Sequence, residues 1–146
     1  MITIKSAVLC DAASIRDGLL HMLGGGISLF GRESFPAPFD ATLALVFELS
    51  NVSHTGESHA IDIRAHRFGG LDSPIFEVHT VITTEPGADP EAFQYAPFVF
   101  NLRNAGLPEA GSYEITVHLD GAPVTSVRFH AKLSEIPEAS DREPFA

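Results

Sequence analysis

The amino-acid sequence predicts an all-β domain, an antiparallel β-sandwich of immunoglobulin-like or related Greek-key topology with about eight or nine strands. Apolar and polar residues alternate with a period of two through much of the chain, as in strands with one buried face. Ten prolines and twelve glycines interrupt this alternation at short intervals, as turns do. Because 146 residues fit a single domain, we expect a sandwich at residues 1–136 and a loose, polar tail at residues 137–146.

Nine segments carry the alternation that predicts strands, and glycine or proline separates most of them. They run from Ile2 to Cys10, Leu19 to Leu23, Ile27 to Phe35, Thr42 to Leu49, His59 to Arg67, Ile75 to Thr84, Phe98 to Leu102, Ser112 to Leu119 and Val124 to Leu133. The fourth is the clearest, because Leu43, Leu45 and Phe47 occupy every second position. The alternation also predicts which face of each strand is buried.

Residues 11–26 allow two interpretations. Apolar residues recur there at near-helical spacing, and Ser14 with Asp17 could form a capping box at a helix start. However, Asp17-Gly18 is a strong hairpin-turn dipeptide, and a glycine inside a helix costs about 1 kcal/mol relative to alanine. The run from Gly24 to Gly26 suits a bend between strands. We therefore favour a turn and a strand over a helix.

The last two predicted strands form a hairpin around Asp120-Gly121. Matching their apolar faces predicts that Val117 lies opposite Val127 and Ile115 opposite Phe129. This register leaves a three-residue loop, Gly121-Ala122-Pro123, and places Glu114 opposite His130 and Thr116 opposite Arg128 on the outer face.

Just before this hairpin, Gly111-Ser112-Tyr113 opens a strand after Leu107-Pro108-Glu109-Ala110. This Gly-x-Tyr opening resembles the tyrosine corner of immunoglobulin-like sandwiches. The resemblance implies that the tyrosine hydroxyl bonds to backbone a few residues upstream. It bears on the fold and assigns no activity.

The turn pattern of the first half resembles that of a protein family. The quoted features are Cys10-Asp11, Asp17-Gly18-Leu19-Leu20, Leu23-Gly24-Gly25-Gly26, Phe35-Pro36-Ala37-Pro38-Phe39 and the apolar strand from Leu43 to Leu49. This pattern is similar to that of small, functionally uncharacterised bacterial proteins, largely actinobacterial, that form single β-sandwich domains. The resemblance implies the fold and supports a turn at Asp17-Gly18. The resemblance implies no activity and identifies no functional residue.

Charge and cysteine content limit the partners and the compartment. The chain has 9 Lys and Arg against 19 Asp and Glu, a net charge of -10, which disfavours nucleic acid and anionic membranes as partners. The single Cys10 excludes an intramolecular disulfide, which favours a reducing compartment. No apolar stretch is long enough for a secretory signal or a membrane-spanning helix. We therefore predict a cytoplasmic protein.

The sequence carries weak signals for catalysis or metal binding. Most of its seven histidines lie in predicted strands, but none forms the His-x-His pair that would place two imidazoles on one strand face. The weak candidates for a metal site are His79, His118 and His130 with Glu77 and Glu114. Cys10 is predicted to be a core residue rather than a nucleophile. We expect no cofactor and identify no catalytic residue.

Three valines, Val46, Val81 and Val99, fall at outward positions and are candidates for an interface if their strands are adjacent. The leading hypothesis is a non-enzymatic β-sandwich binding or assembly module that acts through a sheet face or edge, as a homodimer. Val81→Asp is then expected to give a folded monomer. The alternative is a metal-dependent small-molecule-binding protein or enzyme that uses the strand histidines and glutamates. A third possibility is a basic protein partner that binds the acidic surface.

Overall fold

A computed structural model describes residues 1–50, 56–70, 73–84, 91 and 93–134 of the chain. The described part contains strands and no helix, so the predicted all-β fold is confirmed. The twelve strands are β1 (Ile2–Cys10), β2 (Ala12–Arg16), β3 (Leu19–Leu23), β4 (Leu29–Arg32), β5 (Ala37–Pro38), β6 (Thr42–Ser50), β7 (Glu57–Arg67), β8 (Phe76–Thr84), β9 (Phe93–Asn101), β10 (Gly106–Leu107), β11 (Gly111–Leu119) and β12 (Ala122–Leu133). The predicted tail at residues 137–146 lies outside the described residues.

The strands form two main sheets and two short ribbons. One sheet has three antiparallel strands in the order β1-β6-β9, and the other has five in the order β4-β12-β11-β7-β8. Strand β4 runs parallel to β12, whereas the other pairs in these sheets are antiparallel. The ribbons are β2-β3 and β5-β10.

The core lies between the two main sheets, because each turns one apolar face inward. Leu43, Leu45 and Phe47 of the three-stranded sheet are buried against Ile63 and Ile115 of the five-stranded sheet. An aromatic cluster closes one part of this core, and its members are Phe30, Phe39, Tyr113 and Phe129, with ring centroids 4.9–5.3 Å apart in the contacting pairs. Burying each such side chain contributes about 1.5–3 kcal/mol.

The tyrosine corner expected at the start of β11 is present. Tyr113 is buried, and its hydroxyl donates a hydrogen bond to the backbone oxygen of Glu109. Its ring stacks on Phe129, with an interplanar angle of 13°. The corner therefore joins the loop before β11 to the aromatic cluster.

The register predicted for the last hairpin is wrong by two residues. Ile115 lies opposite Val127, and Glu114 lies opposite Arg128 rather than His130. Asp120 and Gly121 have φ of 50° and 86°, so they form the two-residue turn that a positive φ at both positions allows. A bulge between Val117 and His118 shifts the register by one further residue where the strands meet this turn. From Gly111 to Val117 the shift is two residues, which keeps these paired side chains on their predicted faces.

Residues 12–23 form a hairpin, which confirms the turn and excludes the helix. Strands β2 and β3 pair from Ala12 opposite Leu23 to Arg16 opposite Leu19. The turn residues Asp17 and Gly18 have φ of 53° and 74°. The first strand of this hairpin had no separate strand signal in the sequence, because its residues fit helical spacing equally well.

Candidate functional site

The β2-β3 hairpin is held firmly at its base. The backbone amide of Asp11 donates to the oxygen of Leu23 at 3.0 Å, and that of Gly26 donates to the oxygen of Leu9 at 2.8 Å. The guanidinium of Arg103 donates to the backbone oxygen of Asp11 at 2.7 Å and to Asp40 at 2.7 Å. The hairpin is therefore fixed at its base to the body of the sandwich.

One face of the hairpin lies over the outer face of the three-stranded sheet. This face carries Ala13, Ile15, Leu20 and Met22, since these residues are paired across the hairpin. Gly25 leaves room between Met22 and Val8 of β1, where an added Cβ would come within 3.0 Å of the Met22 sulfur. The covered part of the sheet includes Cys10, Thr42 and Ala44, which point away from the core and are nevertheless buried.

Large apolar side chains of the hairpin remain in contact with solvent on both of its faces. Leu19 and Leu23, on the face away from the sheet, are 65% and 70% exposed. Ile15 and Met22, on the face toward the sheet, are also exposed. The hairpin surrounds an open groove of about 550 Å³. Isolated two-stranded hairpins are marginally stable, so a hairpin with exposed apolar side chains on both faces gains from being covered.

The exposed apolar surface continues from the hairpin onto β9, against which both hairpin strands lie. Strand β9 contains no charged residue. Its outward side chains include Phe93 and Tyr95, which are exposed and whose rings form an edge contact with centroids 5.5 Å apart. We call the outer faces of β6 and β9 together with the β2-β3 hairpin the hairpin surface. Half of the large apolar residues exposed in the described part of the chain lie on it, six of twelve: Ile15, Leu19, Met22, Leu23, Phe93 and Tyr95.

The three candidate interface valines do not form one patch. Val46 and Val99 lie on the neighbouring strands β6 and β9, on the outer face of the three-stranded sheet. Val81 lies on β8, on the outer face of the other sheet, and is 67% exposed. The structure therefore separates Val81 from the other two by the thickness of the sandwich.

The outer face of the five-stranded sheet is polar and carries His79, Asp62 and His118 in one row across three strands. His79 is hydrogen bonded to Asp62 through Nδ1 and to Glu77 through Nε2, the latter at 3.2 Å. In its protonated form, the imidazolium donates both bonds. The buried Nδ1 atom of His118 has no hydrogen-bond partner among the described residues.

These contacts shift two pKa values in opposite directions. The hydrogen bond from His79 is the largest cause of the lowered pKa of the Asp62 carboxyl, and it outweighs burial, which raises that pKa. The bonds to Asp62 and then to Glu77 raise the pKa of the His79 imidazole. The two pKa shifts have a common cause, because each partner favours the charged form of the other.

The five weak metal candidates do not converge on one site, although His79 and Glu77 are in contact. His79 turns its two nitrogens toward carboxylates on opposite sides of the ring, so Asp62 and Glu77 cannot share one metal ion with it. His130 bonds to Ser112, six residues along β11 from His118, which is about 20 Å. Glu114 lies between these positions and is 3.5 Å from Thr116. Among the described residues, no three His, Cys, Asp or Glu side chains are placed to hold a metal ion.

A second histidine with two carboxylate partners was missed by the sequence analysis. His59 bonds to Asp120 through Nδ1 at 2.7 Å and to Glu57 through Nε2 at 3.1 Å. Asp120 also accepts a bond from the Ala60 amide, and these bonds lower its pKa. The sequence feature that could have identified this histidine is a Glu-x-His motif, which begins at Glu57 and again at Glu77. The glutamate and the histidine of such a motif lie on the same face of a strand.

Cys10 is buried as predicted, but under the β2-β3 hairpin rather than between the two main sheets, and its Sγ lies 3.4 Å from the backbone oxygen of Thr42. Burial, and to a smaller extent the charge of Asp11, raises the pKa of its thiol. A raised pKa and burial both oppose thiolate chemistry. The prediction that Cys10 is not a nucleophile is consistent with this environment.

Comparison with solved structures gives a distant similarity. The chain is similar to Pseudomonas fluorescens alkylpurine DNA glycosylase AlkC bound to DNA containing an abasic site analog, with 10% sequence identity and a TM-score of 0.43. The similarity covers 90% of this chain and 30% of the glycosylase chain, so this chain spans less than a third of that enzyme. No curated protein matches the sequence. The described residues include no helix long and apolar enough to cross a membrane.

A family model matches residues 5–132, which is most of the chain. The matched region includes the turn pattern of the first half, the tyrosine corner and almost all of β12. The resemblance to an uncharacterised family that was inferred from the turns is therefore confirmed. The chain belongs to a family of unknown function, DUF6941.

Proposed function

We propose that this protein is a non-enzymatic β-sandwich module that binds a second copy of itself through the hairpin surface. The observation that carries the proposal is the firmly anchored β2-β3 hairpin, which exposes large apolar side chains on both faces beside an uncharged strand. Covering this apolar area would release water and stabilise the hairpin. A hairpin fixed at its base also loses little freedom on binding.

The distribution of charge favours a second copy as the occupant of the hairpin surface, although the net charge itself opposes self-association. A net charge of -10 makes two copies repel one another over most orientations. Strand β9 and the apolar side chains of the hairpin form an area where two copies can approach with little repulsion. A twofold axis through this area would bring the same side chains together from both copies, as in most homodimers.

The experiment is to introduce one negative charge into the hairpin surface and to measure the mass in solution. Leu23→Glu is expected to reduce the mass of the assembly, because a buried carboxylate in an apolar interface is strongly unfavourable. The matched control is Ser126→Glu, which adds the same charge to an exposed position on the other sheet. Light scattering coupled to size-exclusion chromatography reports the mass, and circular dichroism reports the fold. Equal masses for the two folded variants, or a wild-type monomer at all concentrations, would contradict the proposal.

The polar face gives less support to the alternative, a metal-dependent binder or enzyme. Its best-placed histidine, His79, already uses both nitrogens for carboxylates. The remaining candidates are spread along the strands, as His118 and His130 show. We therefore rank the assembly module first. We also propose that the protein is cytoplasmic, because the thiol of Cys10 would stay reduced in that compartment.

A further inference from the structure

The edges of the two main sheets differ in how well they are protected from pairing with another strand. A free strand edge presents unpaired backbone donors and acceptors, and proteins block such edges with proline, lysine, bulges or very short strands. The sheets have four edge strands, which are β1 and β9 in one sheet and β4 and β8 in the other. Three of these four edges carry one of the blocking features.

Each blocked edge has its own feature. Strand β1 has a bulge at Lys5, between Ile4 and Ser6. Strand β4 is four residues long. Strand β9 contains Pro97, which lies opposite Val46. In β6, the backbone N–H and C=O groups of odd-numbered residues such as Ala41 face β9, so those of the even-numbered Val46 face away from it. Val46 and Pro97 are therefore a non-hydrogen-bonded pair, and the N–H that Pro97 lacks would point to the free edge.

Strand β8 has none of these features. It is nine residues long, contains no proline or lysine, and pairs with β7 without a bulge. Its inward side chains are all uncharged: Phe76, Val78, Thr80, Ile82 and Thr84. Among the described residues, no other strand pairs with its outer edge. Within the described part of the chain, this edge is therefore long and unpaired.

The hydrogen bonds of β7 identify the backbone groups that face this open edge. Ala60, which lies opposite Val81, bonds through both its N–H and its oxygen to Asp120, on the side away from β8. Ala60 and Val81 are thus a non-hydrogen-bonded pair, so the N–H and C=O of Val81 point outward. Because backbone groups alternate between the two sides of a strand, the N–H and C=O groups of Glu77, His79 and Thr83 also point to the open edge.

We propose that β8 pairs antiparallel with β8 of a second copy, about a twofold axis at Thr80, to join two five-stranded sheets into one. In this register His79 lies opposite Val81 of the other copy, and Glu77 lies opposite Thr83. Both pairs would form hydrogen bonds through backbone groups that point to the open edge. No like charges lie directly opposite one another. The register also uses the full length of β8 in both copies.

The partner's side chains would continue both faces of the sheet. Val81, which is 67% exposed, would be covered by the partner's strand. The interface is distinct from the hairpin surface, since the two lie on different sheets, and it does not depend on that proposal. If both interfaces form, two different twofold axes on one chain produce assemblies larger than a dimer.

The test replaces one outward amide and leaves the β7-β8 bonds intact. Val81→Pro removes the N–H that would bond to the partner, and proline is tolerated at a position whose N–H faces an open edge. The matched control, Val81→Ala, removes a similar area of side chain but keeps the N–H. We expect the mass of Val81→Pro to be at most half that of Val81→Ala. Equal masses for the folded variants, or a wild-type monomer at all concentrations, would overturn the proposal.

A second measurement decides the matter if Val81→Pro does not fold. Amide hydrogen exchange by NMR on the wild-type protein compares His79, Val81 and Thr83, which face the edge, with Thr80 and Ile82, which bond to β7. The proposal expects the edge amides to be protected at high protein concentration and to exchange faster on dilution. Fast exchange of the edge amides at every concentration would overturn it, as would protection that dilution does not change. The Leu23→Glu variant should keep the concentration-dependent protection of the edge amides. The two proposed interfaces are therefore tested independently of one another.

Discussion

Asp62 and His79 lie opposite one another on β7 and β8 and form a hydrogen-bonded pair on the outer face of the five-stranded sheet. The bond lowers the pKa of the carboxyl and raises the pKa of the imidazole. The raised histidine pKa contributes stability below its usual value of 6.5, and this contribution is lost as pH rises through the folded value. The lowered aspartate pKa contributes above its usual value of 3.8 and is lost as pH falls through the folded value.

We predict that Asp62→Asn lowers the pKa of His79 toward its usual value, because the hydrogen bond to Asp62 is the largest cause of the shift. An NMR titration of the His79 ring would measure this pKa directly. Glu77→Gln removes the second cause and should lower the pKa by a smaller amount. A larger effect of Glu77→Gln would reverse the order of the two partners.

The same variant should change how stability depends on pH. The pair stabilises the fold most between about pH 4 and pH 6.5. The difference between wild type and Asp62→Asn in urea denaturation should therefore be larger at about pH 5.5 than at about pH 9. A difference that does not vary with pH would mean that Asp62 stabilises the sheet through something other than the ion pair.

Gly121→Ala should destabilise the last hairpin by about 1–2 kcal/mol, because its φ of 86° is unfavourable for a residue with a Cβ. No heavy atom lies within 4 Å of the position of an added Cβ, so the cost comes from the backbone and not from a clash. The matched control is Gly106→Ala, where the space is equally open and φ is not in this region. Thermal unfolding measures both. Equal stabilities would show that Asp120-Gly121 does not require the positive-φ turn.

Tyr113→Phe should cost about 1–3 kcal/mol, because it leaves the Glu109 oxygen without the bond from the hydroxyl while keeping the stacked ring. Tyr95→Phe is the control, since Tyr95 is exposed and a surface change of this kind stays within about 0.5 kcal/mol. Urea denaturation at one protein concentration measures both free energies of unfolding. A loss as small as that of Tyr95→Phe would remove the corner from the interactions that stabilise the fold.

Local patterns in the sequence were sufficient to predict most strands and their buried faces. Alternation in β6 and β11 identified Leu45 and Ile115 as core residues, because side chains on a strand point to opposite faces with a period of two. The Gly-x-Tyr opening identified the corner at Tyr113, and Asp17-Gly18 identified a turn. Each of these features depends on residues a few positions apart.

The pairing of strands was decided by the tertiary structure. A shift of two residues leaves Ile115 on the same face, so alternation could not distinguish Phe129 from Val127 as its partner; the turn geometry of Asp120 and Gly121 decided it. Val46 and Val81 have the same outward pattern, yet they lie on different sheets. Alternation by itself determined which side of each strand faces out, because that property is local. Which outward residues share a surface, and which strand edge stays open, depends on contacts between distant segments, and only the folded chain decides it.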